Sequence, residues 1–228
     1  MAQDDLADRL ASIRETIAVR QRVGGWTHPV RLIAVTKTHG AESVKDALAA
    51  GMSDVGENRV QEALGKQDEL SPLPIAWHLI GGLQTRKAKL VVGRFALVQS
   101  VDRLELASEL DRRAAAAGVV QAVLVQVNCS GEPQKGGVLP DALPALLDAL
   151  QAHSALAVRG LMTMAAFSED EAVQRRAFAS LRALAESGRR AGHALPELSM
   201  GMSGDYPVAV EEGATMVRLG TVLFGKRD

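Results

Sequence analysis

From residue 31 onward, short apolar runs alternate with longer segments rich in Ala, Leu, Glu and Arg. The runs are Arg31–Lys37, Asp54–Asn58, Ile75–Ile80, Leu97–Val101, Ala122–Asn128, Ala157–Met162, Glu197–Met200 and Met216–Gly220. Their near-continuous Val/Ile/Leu character suits parallel strands covered on both faces. The segments between them include Ser43–Ala50, Arg59–Leu70, Arg103–Ala117, Asp141–Ala152 and Glu169–Ala191. Gly51, Gly118 and Gly192 follow three of these, where a left-handed helix stop is wanted. Eight strands at this spacing predict an α/β fold, a (β/α)8 barrel of the TIM type. An open doubly wound sheet shares the alternation and is the other solution.

An extra helix is expected ahead of the barrel, over Asp4–Arg22. Leu6, Leu10, Ile13 and Ile17 recur at three- and four-residue steps and so share one face. Gly24-Gly25 breaks that helix and Pro29 opens the first extended run. No linker or composition shift marks a second unit. The expectation is therefore one domain over 1–228, with 1–25 as N-terminal helix and lead-in.

Composition narrows the function. The 26 basic and 27 acidic side chains leave a formal charge of -1, against the basic excess of a general nucleic-acid binder. No apolar run reaches membrane-spanning length, and the acidic start Met1-Ala2-Gln3-Asp4-Asp5 is unlike a secretory signal. A cytoplasmic protein is expected, without nucleic-acid or membrane partners. The single cysteine, Cys129, excludes an intrachain disulfide and any multi-cysteine metal site.

Five groups of residues carry potential chemistry. Ile33, Val35 and Lys37 share a strand face, and Lys37 stands at the C-terminal strand end, where barrel active sites lie. A lysine in a partly dry site forms an imine with an aldehyde; taken alone, this strand favours a lysine that simply reaches solvent. Gly56-Glu57-Asn58-Arg59 places Asn58 where it serves a ligand or, more simply, caps a helix. His78 lies in an apolar strand just before Gly81-Gly82; no His or Cys cluster accompanies it, so no metal site is expected. Leu198-Ser199-Met200-Gly201-Met202-Ser203-Gly204-Asp205 makes a turn of small and hydroxyl residues before a helix, suited to an anion or to ordinary capping. In Met216-Val217-Arg218-Leu219-Gly220-Thr221, Arg218 interrupts an apolar strand and needs acceptors, from an ion pair or from a ligand.

The last two groups follow the seventh and eighth strands, where many barrels bind phosphate, and a closed barrel makes these neighbours of the first strand. Only together do they suggest a site: an imine-forming lysine beside a phosphate pocket, which suits pyridoxal 5'-phosphate (PLP), an aldehyde with a phosphate arm. Lys135, in the polar loop Gly131–Gly137, either helps close such a site or is merely solvated.

The chain resembles the pyridoxal phosphate homeostasis proteins. The matching stretches are Ala34-Val35-Thr36-Lys37-Thr38, Gly56-Glu57-Asn58-Arg59-Val60-Gln61-Glu62, Trp77-His78-Leu79-Ile80-Gly81, Gly160-Leu161-Met162-Thr163-Met164, Leu198-Ser199-Met200-Gly201-Met202-Ser203 and Val217-Arg218-Leu219-Gly220-Thr221. The resemblance implies a barrel like the N-terminal domain of alanine racemase, the fold-type III arrangement. It implies PLP held as an internal aldimine on Lys37, its phosphate on Ser203, Gly220 and Thr221, and its pyridine nitrogen facing Arg218. It also implies that Asn58, His78 and Met200 line the pocket. Departures from the family pattern, such as His39-Gly40, Gly82 and Thr85-Arg86-Lys87, fall on the rim and spare the cofactor positions.

The implied role is a carrier that stores or delivers PLP to apo-enzymes, as a monomer or else a dimer, with no catalytic residue assigned. An arginine at the pyridine nitrogen disfavours its protonation and restrains carbanion chemistry. A racemase needs acid/base groups on both faces of the substrate carbon. The alanine racemases that the chain resembles take one from a tyrosine of a second domain, whereas the only tyrosine here is Tyr206. The alternatives are a PLP-dependent racemase of low activity, with His78 as its second proton-transfer group, and a cofactor-free Schiff-base aldolase acting through Lys37.

Overall fold

The computed structural model describes residues 3–225. Eight parallel strands of these residues close into a barrel in chain order: β1 (Arg31–Val35), β2 (Asp54–Glu57), β3 (Ala76–Leu79), β4 (Leu97–Val101), β5 (Gln121–Gln126), β6 (Leu156–Met162), β7 (Glu197–Met202) and β8 (Met216–Leu219). The seam is the β1–β8 pair, where Ile33 lies opposite Arg218. Closure excludes the open sheet, because the first and last strands share a parallel ladder.

The helices wrap the outside: α1 (Gln3–Gly24), α2 (Ala41–Ala49), α3 (Val60–Glu69), α4 (Leu104–Ala116), α5 (Leu143–Leu150), α6 (Glu171–Arg190), α7 (Tyr206–Glu211) and α8 (Thr221–Phe224). Gly51, Gly118 and Gly192 all take positive φ just beyond α2, α4 and α6, as a left-handed stop requires. Between β3 and β4 there is a 3-10 turn, Thr85–Leu90, in place of a full helix. Another 3-10 turn, Pro140–Ala142, delays α5 to Leu143. β1 stops two residues short of Lys37, and β7 runs on to Met202.

Two apolar layers result. Ile33, Leu97, Leu124, Met162 and Met216 fill the barrel bore, while the larger cluster lies between the sheet and the helices. α1 joins the outer layer through Leu6, Leu10, Ile13 and Ile17, all buried. Each such burial contributes about 1.5–3 kcal/mol before entropy is counted. Charged contacts hold the same helix: Arg20 reaches Glu211 on α7, and Arg9 Nη1 donates to Leu223 O on α8 at 3.0 Å. No helix among the described residues is long and apolar enough to cross a membrane.

Candidate functional site

The C-terminal mouth of the barrel opens into a cavity of about 960 Å³. Lys37, Asn58, Ser203, Arg218, Gly220 and Thr221 all line it. The structure thus brings together six of the eight site residues expected from sequence.

His78 and Met200 are the corrections. His78 does point into the bore, but below the cavity. It is buried, with Nε2 2.9 Å from Asp54 Oδ1 and Nδ1 3.2 Å from Gln99 Nε2. Met200 faces the other way, into the apolar layer between sheet and helices. Alternation along β7 turns Ser199 inward and so sends Leu198 and Met200 outward.

Lys37 follows a strand end held by buried charge. Behind β1, the Thr36 hydroxyl donates to Glu57 Oε1 at 2.6 Å. Lys66 Nζ donates to the same oxygen at 2.7 Å, to Thr36 O at 2.9 Å and to Glu62 Oε1 at 3.0 Å. Thr38, at φ 65°, donates its backbone N–H to Glu62 Oε1 at 2.6 Å. Lys37 is therefore flanked by two anchored threonines, and its half-buried side chain opens into the cavity. Burial pushes the Glu57 carboxyl up from its ordinary value, opposed by the hydrogen bonds from Lys66 and Thr36. Asn58 sits one strand along, with Gly81 against it: a Cβ at Gly81 would fall 2.3 Å from Asn58 O.

Arg218 rises from β8 into the cavity floor and is 4 % exposed. Its Nη1 donates to Ser199 Oγ at 2.7 Å and its Nη2 to Thr163 O at 2.8 Å. Burial lowers its pKa to about 10, with Asp205 opposing, so the guanidinium remains cationic at neutral pH.

The turns after β7 and β8 are locked together. Ser203 Oγ accepts the N–H groups of Gly220 and Val222 at 3.1 and 3.3 Å. Gly201, at φ +92°, lets α7 pack against the end of β7, since a Cβ there would lie 2.6 Å from the Ala209 Cβ on α7. Asp205 then accepts the Met202 N–H at 2.5 Å and lines the cavity itself. Burial raises its carboxyl, against the Met202 hydrogen bond and the charge of Arg218.

Sequence reasoning placed Asp205 and Met202 in a turn suited to an anion or to capping, and singled out neither of them, nor Gln126 or Met164, as lining the cavity, which all four do. Asp205 had a local signal, as the acid closing a Ser-Gly-Asp turn; the other three are ordinary strand-end residues. Lys135 helps close one side: its ammonium donates to Ala165 O, joining the loop after β5 to the loop after β6. Gln126 Nε2 fixes that loop from below, donating to Lys135 O at 2.8 Å. Tyr206 is buried in the outer apolar layer.

Comparison with known proteins identifies the family and the fold. The model of the alanine racemase N-terminal domain family matches residues 9–228. The pyridoxal phosphate homeostasis protein of Pseudomonas aeruginosa is 44% identical over 225 residues, covering 99% of this chain and 95% of that protein. Its counterpart in Aquifex aeolicus is 42% identical over 222 residues, covering 96% and 97%. Among solved structures, Synechococcus elongatus PipY with PLP bound superposes with a TM-score of 0.85 at 41% identity, covering 96% of this chain and 100% of that one. Clostridium difficile alanine racemase shares the fold alone, with a TM-score of 0.80 at 14% identity over 60% of its own length. The chain belongs to the pyridoxal phosphate homeostasis protein family, built on the alanine racemase N-terminal barrel.

Proposed function

We propose that the cavity holds PLP covalently through the Lys37 amine, and that the protein stores this cofactor in the cytoplasm and delivers it to apo-enzymes. One observation carries the reading. Lys37, two residues beyond the end of β1, and Arg218, on β8, flank the barrel seam and open into the same cavity as Ser203, Gly220 and Thr221.

The donor set fits the group. When bound, PLP supplies an aldehyde carbon that accepts a lysine amine with loss of water. The linked turns at Ser203 and Gly220-Thr221 offer hydroxyls and backbone N–H groups to a phosphate. Arg218, a permanent donor, would face the ring nitrogen and keep it an unprotonated acceptor. That arrangement restrains carbanion chemistry and favours carriage over turnover. The positions of Tyr206 and His78 support the same view, since neither lines the cavity.

The test is the absorption spectrum of the purified protein after incubation with PLP, beside that of Lys37→Ala. The wild type is expected to be yellow, and the variant to lose the visible band. Transfer to an apo-enzyme without amino-acid turnover completes the reading, whereas steady racemisation by the loaded protein replaces it with the enzyme. A wild type that stays colourless defeats the cofactor assignment and brings the aldolase forward.

A further inference from the structure

Arg218 is the end of a hydrogen-bonded string that crosses the barrel. Its Nη1 donates to Ser199 Oγ on β7. The Ser199 hydroxyl donates to Gln99 Oε1 on β4 at 2.6 Å. β5 and β6 separate those two strands in the barrel wall, so this bond spans the bore. Gln99 Nε2 faces His78 Nδ1 on β3, and His78 Nε2 faces Asp54, the first residue of β2. Ser199, Gln99 and His78 are buried, and Asp54 is partly so.

The two ends fix the direction of every link. A guanidinium only donates, and an ionised carboxylate only accepts. Ser199 takes the Arg218 proton contact and must pass its own hydrogen on, which turns the Gln99 carbonyl toward it. The Gln99 amide NH2 then faces His78, whose Nδ1 must be bare to accept it. The imidazole proton is left on Nε2, toward Asp54. A doubly protonated His78 would turn the Gln99 carbonyl to itself and leave Ser199 between two donors.

We propose that Asp54, His78, Gln99 and Ser199 are positioning residues, a one-way string with His78 neutral that sets the Arg218 guanidinium against the ring nitrogen of the cofactor. The proposal rests on the PLP reading for its functional consequence. It also gives His78 a role at second hand, from beneath the site rather than within it.

The experiment loads the protein with PLP labelled with 15N in the ring and reads that nitrogen by NMR. Ser199→Ala and Gln99→Leu cut the string at separate links. Each is expected to shift the ring resonance and to weaken PLP binding about tenfold, the loss of roughly 1.4 kcal/mol of hydrogen bonding. Ser199→Thr, which keeps the hydroxyl, is expected to restore both. Imidazole 15N spectra of the cofactor-free protein should show His78 protonated on Nε2 alone at neutral pH. Folded Ser199→Ala protein with an unshifted ring resonance overturns the proposal, as does a His78 protonated on Nδ1. A wild type that binds no PLP defeats the cofactor reading and the consequence drawn for Arg218 with it. Normal binding with an indifferent ring signal defeats the string alone.

Discussion

Lys66 Nζ lies 2.7 Å from the Glu57 carboxylate, and both side chains are buried behind the strand that leads into Lys37. A pair so placed is costly to break from one side, because the surviving charge has no water to fall back on. Lys66→Met is therefore expected to lower unfolding free energy by about 3–5 kcal/mol, read from urea denaturation. Lys66→Met combined with Glu57→Gln should recover part of that loss. A single variant as stable as the wild type would deny the pair its role in anchoring Thr36.

Ser203→Ala separates the two turns at the mouth. Ser203 Oγ holds the N–H groups of Gly220 and Val222, and each bond contributes about 0.5–1.5 kcal/mol. Stability should fall by no more than about 3 kcal/mol. The affinity for PLP should fall at least about tenfold, equivalent to 1.4 kcal/mol, while that for pyridoxal, which lacks the phosphate, hardly changes. Equal losses for both ligands would place the phosphate elsewhere.

Gly201→Ala tests the approach of α7 to the end of β7. The new Cβ meets Ala209 at 2.6 Å in a backbone conformation of φ +92°. Overpacking and the left-handed backbone together should cost about 2–4 kcal/mol, measured as a drop in urea midpoint. The same variant should bind PLP more weakly, because Met202 and Ser203 follow directly in the turn.

The clamp between α1, α6 and α7 should make the protein acid-sensitive. Burial alone would raise the Glu211 carboxyl, but hydrogen bonds from Arg20 and Arg175 outweigh it and hold the pKa below the ordinary 4.5. The unfolded chain therefore takes up this proton at a higher pH than the folded one. The stabilisation is present in full above the unfolded value and is lost as pH falls through the folded one. Glu211→Gln should be less stable than the wild type at pH 7, and the gap should narrow as the pH is taken below about 4. A gap that stays constant with pH would remove Glu211 from the acid response.

Much of the site was legible because its residues sit at strand ends. The alternation of short apolar runs with helical segments implies eight parallel strands. A closed barrel then brings the ends of its first, seventh and eighth strands together, which is why Lys37, Ser203, Arg218, Gly220 and Thr221 were readable as one group. α1 was legible from the spacing of Leu6, Leu10, Ile13 and Ile17.

Depth and facing were decided only by the tertiary structure. Barrel strands are apolar on both sides, so no local pattern says whether Met200 or Ser199 looks inward; packing of α7 against β7 settles it. His78 does face the bore, yet how far it lies below the cavity depends on the tilt and stagger of the closed barrel. Gln99 meets Ser199 across 100 residues of sequence. Nothing near either residue announces the other, because their contact exists only once eight strands have closed around it.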